Sequence, residues 1–278
     1  MAIMYTTVIM KKKKRIQKIK HTGITTSTTN QNISTTSLRV LVIQDGDYIK
    51  FPKFSSYTTA INTAYCRKWG YNYKFKEHKN SNIPPYWLKV LDVQEALKSN
   101  QYDIVVYVDL DACFLDFNMS LETVINRIDT DSGRISDMYF GEDSADETLA
   151  NTGVFLVRNT PLGVILMDTW KSMCINDKGE RQNACSAWDK VKSKWTCKHC
   201  EWAGREYEQG TMNNLVDLFP DNIAVVDRSF FSSATRSNKP YMIHAMGTTP
   251  EIRLKTFKEI YEELRTEFKT EFKTLNKG

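Results

Sequence analysis

Short apolar runs alternate along this chain with stretches in which apolar residues recur every three to four positions. A continuous apolar run is typical of a strand buried on both faces, and the wider spacing is typical of a helix with one buried face. The runs predict strands at 39–45, 71–75, 103–109, 138–142, 154–158, 222–227 and 241–245. The spacing predicts helices that end near Gly70, cover 87–98, 162–174 and 209–219, and run from Leu254 to Phe272. Strands that alternate with helices indicate an α/β fold, in which helices flank a mainly parallel sheet.

The composition is that of an ordinary globular protein. The 278 residues are 41% hydrophobic and 26% charged, which is sufficient for a sizeable core. This excludes a collagen, a wholly disordered chain and a small disulfide-stapled domain. No run approaches the roughly 18 apolar residues that cross a membrane. The apolar stretch 1–10 is too short and too polar for a secretory signal, in which the charged region also comes before the apolar one. We therefore expect a cytoplasmic protein.

The formal net charge of +5 comes from one end of the chain. Residues 1–37 hold seven Lys and Arg and no acidic residue, so residues 38–278 carry a net charge of −2. We call 1–37 the basic tail, and its Thr, Ser and Asn content predicts a flexible segment. Its KKKKR run is either a solvated leader or a contact with anionic lipid or nucleic acid. The rest of the chain lacks the excess of Lys and Arg that a nucleic-acid groove needs, so we expect no nucleic-acid partner.

Two carboxylates follow the most apolar of the predicted strands. Asp109 and Asp111 end the segment DIVVYVDLD, in which Val105, Val106 and Val108 indicate burial. Residues i and i+2 of an extended chain point to the same side, so we expect both carboxylates to face one point. Open α/β sheets bind ligands outside the carboxyl ends of their strands, and two hard oxygen ligands favour Mg²⁺ or Mn²⁺. The alternative is a turn with solvated acids.

Four segments, in the same order, resemble one family of nucleotide-sugar glycosyltransferases with the GT-A fold. They are WLKV…YDIVVYVDLDACFL (87–115), NTGVFLVRN (151–159), the pair Glu208-Gln209 and HAMG (244–247). That family contains the plant xyloglucan xylosyltransferases and the yeast galactosyl- and mannosyltransferases. The resemblance covers roughly residues 39–255. It implies a Rossmann-like, mainly parallel GT-A sheet in a single domain, and metal-dependent sugar transfer that retains the anomeric configuration.

The resemblance also implies a metal site and a donor site. Asp111 would bind Mn²⁺ or Mg²⁺ directly, Asp109 would share the metal or hold the donor ribose, and His244 would be the third protein ligand. A histidine beside two carboxylates favours Mn²⁺ over Mg²⁺. Lys89 would lie near the donor sugar or diphosphate, and Gly247 belongs to the same donor site. The ordinary alternatives are a hydrogen-bonded core histidine and a solvated surface lysine.

Two further donor contacts are expected from their positions. Asp45 comes at the end of the first predicted strand, where a base or ribose would lie if that strand is central. The alternative there is a turn, because Asp-Gly-Asp is typical turn sequence. The family usually follows its histidine segment with a Cys-Lys phosphate contact, but two threonines stand here. The diphosphate would then meet Arg253, Lys255 or backbone N–H groups.

Three residues would act on the transferred sugar. Asn151 would present its side-chain amide to the reaction centre, and the neighbouring Gly153 would let the backbone approach closely. Glu208 or Gln209 would stabilise an oxocarbenium-like transition state, which gains from negative charge and oriented dipoles, or would position the acceptor. The alternatives are a strand-entry turn for 151–153 and an ordinary acid at a helix N-terminus for Glu208.

The six cysteines divide between the predicted core and an insertion. Cys66 and Cys113 lie in apolar contexts and are predicted to be buried free thiols. The others fall in a Cys- and Trp-rich insertion at about 174–206, within the single domain predicted over 38–278: Cys174, Cys185, Cys197 and Cys200. Free thiols are favoured for these four because cytosolic chains seldom hold disulfides, and the alternatives are a zinc site or disulfides.

The leading prediction is therefore a metal-dependent glycosyltransferase that moves xylose or galactose from a UDP-sugar to a glycan acceptor. One alternative is a nucleotidyltransferase that uses the paired aspartates for two-metal chemistry and releases pyrophosphate from a nucleoside triphosphate. Another is a non-catalytic binding module that acts through the basic tail and in which the carboxylate pair is structural.

Overall fold

The computed structural model describes most of the chain beyond the basic tail. The described residues are 38–46, 52–77, 83–143, 149–176, 207–273 and, between them, 178, 180, 181, 185, 188, 189, 191, 194 and 195. Contacts divide the chain into two units, Met1–Leu38 and Arg39–Gly278. Every element below belongs to the second unit. The basic tail, and with it the prediction of its flexibility, lies outside the described residues.

Helices and strands alternate through the second unit. The strands are β1 (Val40–Gly46), β2 (Asn72–Glu77), β3 (Ile104–Val108), β4 (Ala112–Phe114), β5 (Met138–Glu142), β6 (Ala150–Arg158), β7 (Trp188–Asp189), β8 (Lys194–Trp195), β9 (Ile223–Val226) and β10 (Met242–His244). The helices are α1 (Pro52–Trp69), α2 (Pro85–Lys98), α3 (Leu121–Ser132), α4 (Pro161–Ser172), α5 (Glu208–Leu218), α6 (Arg228–Phe231), α7 (Pro250–Glu267) and α8 (Lys269–Phe272).

The central sheet has six strands in the order β2-β1-β3-β6-β5-β9. β1 pairs in parallel with β2 and β3, and β5 pairs in parallel with β9, whereas β6 is antiparallel to both of its neighbours. Five strands therefore run in one direction and β6 runs in the other. This confirms the prediction of a mainly parallel sheet in an α/β domain.

The two faces of the sheet pack against different helices. On one face, Val106 of β3 belongs to the same buried cluster as residues of α1 and as Phe257 of α7. On the other face, the ring of Tyr107 lies 5.3 Å from that of Phe155, and the Phe155 ring lies 5.3 Å from that of Trp170 on α4. β3 is buried along its whole length because helices cover both faces, which is why its sequence is continuously apolar.

The structure corrects some predicted boundaries and adds elements. β6 begins at Ala150, so the N-T-G segment lies inside a strand instead of in a turn before one. β1 begins at Val40 and ends at Gly46, one residue later at each end than predicted. The sequence reading missed helix α3 and the short strand β4. Within the part of the chain that is described, no helix is long and apolar enough to cross a membrane.

The cysteines are partly as predicted. Cys66 and Cys113 are buried free thiols, which confirms the prediction for these two. Cys174 and Cys185 form a disulfide, so the expectation that favoured free thiols is wrong for this pair. Their Cα atoms lie 5.2 Å apart, because an isolated bridge between Ile175 and Arg181 folds the intervening segment back on itself. Cys197 and Cys200 lie outside the described residues.

Candidate active site

The acidic pair lies at the carboxyl edge of the sheet, where β3 ends. Asp109 is the first residue beyond β3, and a tight turn closes when the N–H of Ala112 donates to the carbonyl of Asp109. β4 then pairs antiparallel with β10, in a register that sets Ala112 opposite His244. The turn carries Asp111, so the two carboxylates do not share one extended strand as predicted. They converge because the chain turns and because β10 brings the histidine beside them.

Asp109, Asp111 and His244 form a compact group of metal-binding side chains. One ligand atom from each residue lies within 4.8 Å of those from the other two. Nε2 of His244 lies 3.4 Å from Oδ1 of Asp111 and 3.7 Å from Oδ2 of Asp109. Two carboxylate oxygens and one imidazole nitrogen suit a divalent ion of intermediate softness such as Mn²⁺.

The other oxygen of each carboxylate has a cationic partner. Oδ1 of Asp109 lies 2.9 Å from Nζ of Lys89 and accepts a hydrogen bond of 2.8 Å from the hydroxyl of Tyr107. Oδ2 of Asp111 lies 3.0 Å from the guanidinium of Arg253. These outer contacts leave one oxygen of each aspartate facing His244. Such contacts hold ligating side chains in the orientation that a metal needs.

The electrostatics of the group follow from burial and from these partners. Burial acts to raise the pKa of Asp111, but His244 and Arg253 outweigh it and lower that pKa to about 2. Burial acts to lower the pKa of His244, but the carboxylates of Asp111 and Asp109 raise it above its ordinary value. Without a metal, the imidazole therefore takes part in compensating the two carboxylates.

The imidazole of His244 is positioned by packing. A β-carbon added to Gly153 would lie 2.0 Å from Cε1 of His244, so the ring occupies the space that any other residue at 153 would fill. Nδ1 of His244 is buried and has no hydrogen-bond partner among the described residues. The close approach that the N-T-G segment permits is therefore an approach of this ring to the backbone of β6.

Lys89 is buried in the site, with 4% of its surface exposed, and this rules out the solvated alternative. Its Nζ donates to Asp109 and, at 3.2 Å, to the carbonyl of Thr152, and it lies 3.7 Å from Oε1 of Glu208. It also lies 4.9 Å from the centre of the Tyr107 ring. Burial acts to lower the pKa of Lys89, but Asp109 and Glu208 raise it above its usual value. The side chain is a permanent cation between two carboxylates.

Glu208 is a buried carboxyl at the N-terminus of α5. Oε1 accepts a hydrogen bond of 3.0 Å from the hydroxyl of Thr152. Oε2 is buried and has no hydrogen-bond partner in the described part of the chain. Burial and the charge of Asp109 raise the pKa of Glu208 to about 7, although Lys89 and Thr152 act to lower it. A carboxyl that titrates near neutral pH is typical of a functional site.

Another carboxylate, that of Asp143, links the two amides that were predicted to face the sugar. Its Oδ2 accepts hydrogen bonds from Nδ2 of Asn151 at 3.1 Å and from Nε2 of Gln209 at 3.0 Å. The amide oxygens are engaged in turn, because Oδ1 of Asn151 accepts from the N–H of Gly153 and Oε1 of Gln209 accepts from the N–H of Thr152. A carboxylate that only accepts thus fixes which end of each amide is N and which is O.

An irregularity in the sheet brings the N-T-G segment to the site. Pairing between β5 and β6 steps from Phe140–Phe155 to Gly141–Asn151, so residues 152–154 have no partner on β5. Such irregularities bend a strand and re-aim its side chains. Here the step lets the Thr152 hydroxyl and carbonyl reach Glu208 and Lys89.

The remaining predicted donor contacts lie around this group. Asp45 is 8% exposed and accepts a hydrogen bond from Tyr107, whose hydroxyl also contacts Asp109. Gly247 has a φ of +67°, and a β-carbon there would meet no atom of the described residues within 4 Å. Nε of Arg253 donates to the carbonyl of Ala245 at 3.1 Å, in addition to the Asp111 pair. Polar contacts thus join eight of the predicted residues into one network: Lys89, Asp109, Asp111, Asn151, Glu208, Gln209, His244 and Arg253. Tyr107 links Asp45 to this network, whereas Lys255 is exposed.

A model of the galactosyl transferase GMA12/MNN10 family matches residues 39–197, which is more than half of the chain. The chain belongs to this family. The matched segment includes the acidic pair and the N-T-G segment, whereas Glu208, Gln209 and His244 lie beyond it. The chain is therefore a glycosyltransferase, an enzyme that transfers sugar. A search of curated proteins finds no match.

Solved glycosyltransferases resemble this one in fold. A glycosyltransferase involved in the glycosylation of the major capsid of PBCV-1 is 14% identical, with a TM-score of 0.58, over 80% of this chain and 99% of that chain. GlyE of Streptococcus pneumoniae TIGR4 is 13% identical, with a TM-score of 0.43, over 83% and 64%. A Drosophila β-1,4-galactosyltransferase 7 mutant in complex with manganese, UDP-Gal and xylobiose is 10% identical, with a TM-score of 0.41, over 78% and 74%. The first of these structures has a TM-score above 0.5, and its similarity confirms the GT-A fold of this glycosyltransferase.

Sequence reasoning missed four polar residues of the site: Tyr107, Asp143, Thr152 and Tyr207. Asp143 comes directly after β5, just as Asp109 comes directly after β3, so the rule that found one would have found the other. Tyr107 stands two positions before Asp109 on the same face of the strand. The run around it is apolar, which is typical of an ordinary core residue.

Proposed function

We propose that this glycosyltransferase transfers xylose or galactose from a UDP-sugar to a glycan acceptor, in a metal-dependent reaction that retains the anomeric configuration. The convergence of Asp109, Asp111 and His244 at the carboxyl edge of the sheet carries the proposal. Membership of a galactosyl transferase family favours sugar transfer over the nucleotidyl transfer that the sequence left open.

The residues present fit a divalent cation. Each aspartate turns one oxygen towards His244 and has its other oxygen held by Lys89 or by Arg253. A bound Mn²⁺ or Mg²⁺ would supply Lewis-acid stabilisation of the charge on the leaving diphosphate. The histidine favours Mn²⁺ of the two. Arg253, with its guanidinium already beside Asp111, would add positive charge on the leaving-group side.

The donor would lie along the edge that these residues line. Asp45 would meet the base or ribose at the end of β1. Lys89 would hold Asp109 in place and contribute positive charge beside the donor sugar. Gly247, with open space above its α-carbon, would let the diphosphate approach the backbone.

Glu208, Gln209 and Asn151 would act on the transferred sugar. Cleavage of the bond to the nucleotide leaves positive charge on the anomeric carbon, which ionised Glu208 and oriented amide dipoles would stabilise. Asp143 fixes the orientation of both amides. Retention of configuration is carried over from the family that the motifs resemble.

A donor screen tests the proposal. The enzyme is incubated with a panel of UDP- and GDP-sugars plus Mn²⁺, and nucleotide release by hydrolysis is measured. We expect slow UDP release from UDP-xylose or UDP-galactose, with the α-anomer of the sugar appearing first by NMR. Release from GDP-sugars alone, or pyrophosphate release from nucleoside triphosphates, would overturn the proposal.

The cellular location is also a proposal, namely a cytoplasmic enzyme whose basic tail contacts anionic membranes. The Cys174–Cys185 disulfide argues against a cytoplasmic location, because disulfides persist mainly in oxidising compartments. Alkylation of free thiols in intact cells, combined with fractionation, separates the cases. A reduced pair in the cytosolic or peripheral-membrane fraction supports the proposal, and a fully oxidised pair in a luminal or secreted fraction contradicts it.

A further inference from the structure

Tyr86 is the one aromatic residue among the large apolar side chains exposed in the described part of the chain. The others are Leu38, Ile135, Val191 and Ile252. Tyr86 is 47% exposed, whereas Trp87, next to it in α2, is 1% exposed. Single exposed apolar side chains are common in soluble proteins, so this exposure has meaning only through its location.

Tyr86 stands beside the site. It lies in the first turn of α2, three positions before Lys89, and residues at that spacing are neighbours on a helix surface. Its ring packs against that of Tyr207, with centroids 4.7 Å apart and planes at 47°. Tyr207 is buried, immediately precedes Glu208, and has a side-chain hydrogen bond with Tyr86. The two tyrosines are thus fixed to each other at the rim of the site.

A continuous line of contacts runs from the metal-binding group to this pair. Asp109 contacts Lys89, and Lys89 contacts Glu208. Tyr207 is the residue before Glu208 in the chain, and its ring contacts that of Tyr86. The metal-binding group marks the diphosphate end of the proposed donor. The tyrosines thus lie next to Lys89 and Glu208 along the chain, and the proposed function places these two residues beside the transferred sugar, to which the acceptor must also come.

We propose that Tyr86, backed by Tyr207, is an acceptor subsite that stacks against the pyranose ring of the glycan acceptor. A pyranose has a face of C–H groups and a rim of hydroxyls, and an exposed tyrosine offers a matching apolar face and polar tip. Tyr207 holds the ring before the acceptor arrives. Stacking therefore costs little additional side-chain conformational entropy. This inference rests on the proposed function, because it presumes that the acceptor is a sugar.

Saturation-transfer NMR on the full-length protein with UDP and Mg²⁺, which unlike Mn²⁺ is diamagnetic, tests the subsite directly. The probes are the methyl glycosides of xylose, glucose, galactose and mannose, and the proteins are wild type, Tyr86→Phe, Tyr86→Ala and Ile135→Ala. Ile135 is exposed and precedes β5, at the sheet edge opposite the site, so its variant controls for the loss of an exposed apolar group. We expect at least one glycoside to bind wild type, Tyr86→Phe and Ile135→Ala, and to bind Tyr86→Ala about tenfold more weakly.

Donor hydrolysis, measured without acceptor on the same proteins, separates this inference from the proposed function. UDP release at wild-type rate and donor KM in Tyr86→Ala supports an acceptor role. A raised donor KM in that variant overturns the inference, because the ring would then contact the donor. Glycoside binding that persists in Tyr86→Ala, or no binding to wild type, also overturns it. Failure of wild type to release UDP from any donor counts against the proposed function, while the binding measurement still decides the subsite.

Discussion

Gly153 and His244 share one space at the centre of the site, since a β-carbon on Gly153 would lie 2.0 Å from Cε1 of the histidine. The imidazole has no hydrogen bond at Nδ1 among the described residues, so its orientation depends on this packing and on the contacts of Nε2 with the two aspartates. The glycine of the N-T-G segment is therefore tied to the histidine of a segment about ninety residues later in the chain.

Replacement of Gly153 by alanine should therefore displace the ring and weaken metal binding. We expect the affinity for Mn²⁺ to fall by about tenfold or more, the range seen when groups that orient a ligand are changed. Calorimetric titration with Mn²⁺ measures this. Gly133→Ala is the control. Gly133 has a φ of +66° at the end of α3, so the variant should lose about 1 kcal/mol of stability and bind Mn²⁺ normally.

A double variant shows whether Gly153 acts through His244 alone. With His244→Ala the space is vacant, so adding Gly153→Ala should then cost little stability in urea unfolding. An equal cost of Gly153→Ala in both backgrounds would contradict the packing account.

Lys89 should be essential for folding stability as well as for activity. Lys89→Met leaves the half-buried carboxylate of Asp109 and the buried carboxyl of Glu208 without their cation, and removing one partner from a buried pair costs about 3 kcal/mol or more. Urea unfolding measures the loss, and adding Glu208→Gln should recover part of it. Lys98→Met breaks an exposed pair with Asp168, 3.0 Å apart, and should cost at most about 1 kcal/mol. Equal losses in the two single variants would show that the buried pairs do not matter.

Asp143 should support turnover without holding the metal. Asp143→Ala removes the acceptor that orients Asn151 and Gln209, so kcat should fall about tenfold to a hundredfold while Mn²⁺ affinity stays unchanged. Asp143→Asn can still present one oxygen and should retain more activity. Asp129→Ala, which breaks a 2.6 Å pair with Arg158 at the opposite sheet edge, should lower stability but not kcat. An unaltered kcat in Asp143→Ala would refute the role of the amides.

Glu208 should make stability depend on pH between about 4.5 and about 7. Its pKa is raised to about 7 in the folded protein, from an ordinary 4.5, so the folded state retains the proton longer than the unfolded state. The stabilisation is complete below the lower value and is lost as pH rises through the upper one. The loss is on the order of 3 kcal/mol. The free energy of unfolding is measured in EDTA at about pH 4.5 and about pH 8 for wild type and Glu208→Gln. The difference between the two proteins should change by this amount between the two pH values. A pH-independent difference would mean that Glu208 has an ordinary pKa.

The sequence predicted the central architecture well because local signals carry it. β3 is continuously apolar and β1 begins with four apolar residues, which indicates strands covered on both faces. Helix α3 was missed although its signals are present, with Ser120 capping the N-terminus and Gly133 in a left-handed C-terminal position. β4 has three residues, too few for a periodic pattern.

The site was predicted in its parts but not in its connections. The burial of Lys89 could not be foreseen, because a lysine is ordinarily exposed and only Asp109 and Glu208, distant in sequence, make its burial tolerable. The hydrogen bonds from Asn151 and Gln209 to Asp143 depend on the step in pairing between β5 and β6, which no local sequence pattern encodes. The disulfide likewise depends on a fold of the chain that the spacing of Cys174 and Cys185 does not specify.

The most direct test of the account is the metal dependence of donor cleavage. UDP release from UDP-xylose and UDP-galactose is measured for wild type, Asp111→Asn and Asp116→Asn, each with Mn²⁺ and in EDTA. Asp116 is the matched control, since it follows β4 and its Oδ1 accepts from the N–H of Asn118. We predict that EDTA abolishes release, that Mn²⁺ restores it, and that Asp111→Asn alone remains inactive. Full activity in EDTA, or wild-type activity of Asp111→Asn, would contradict the account.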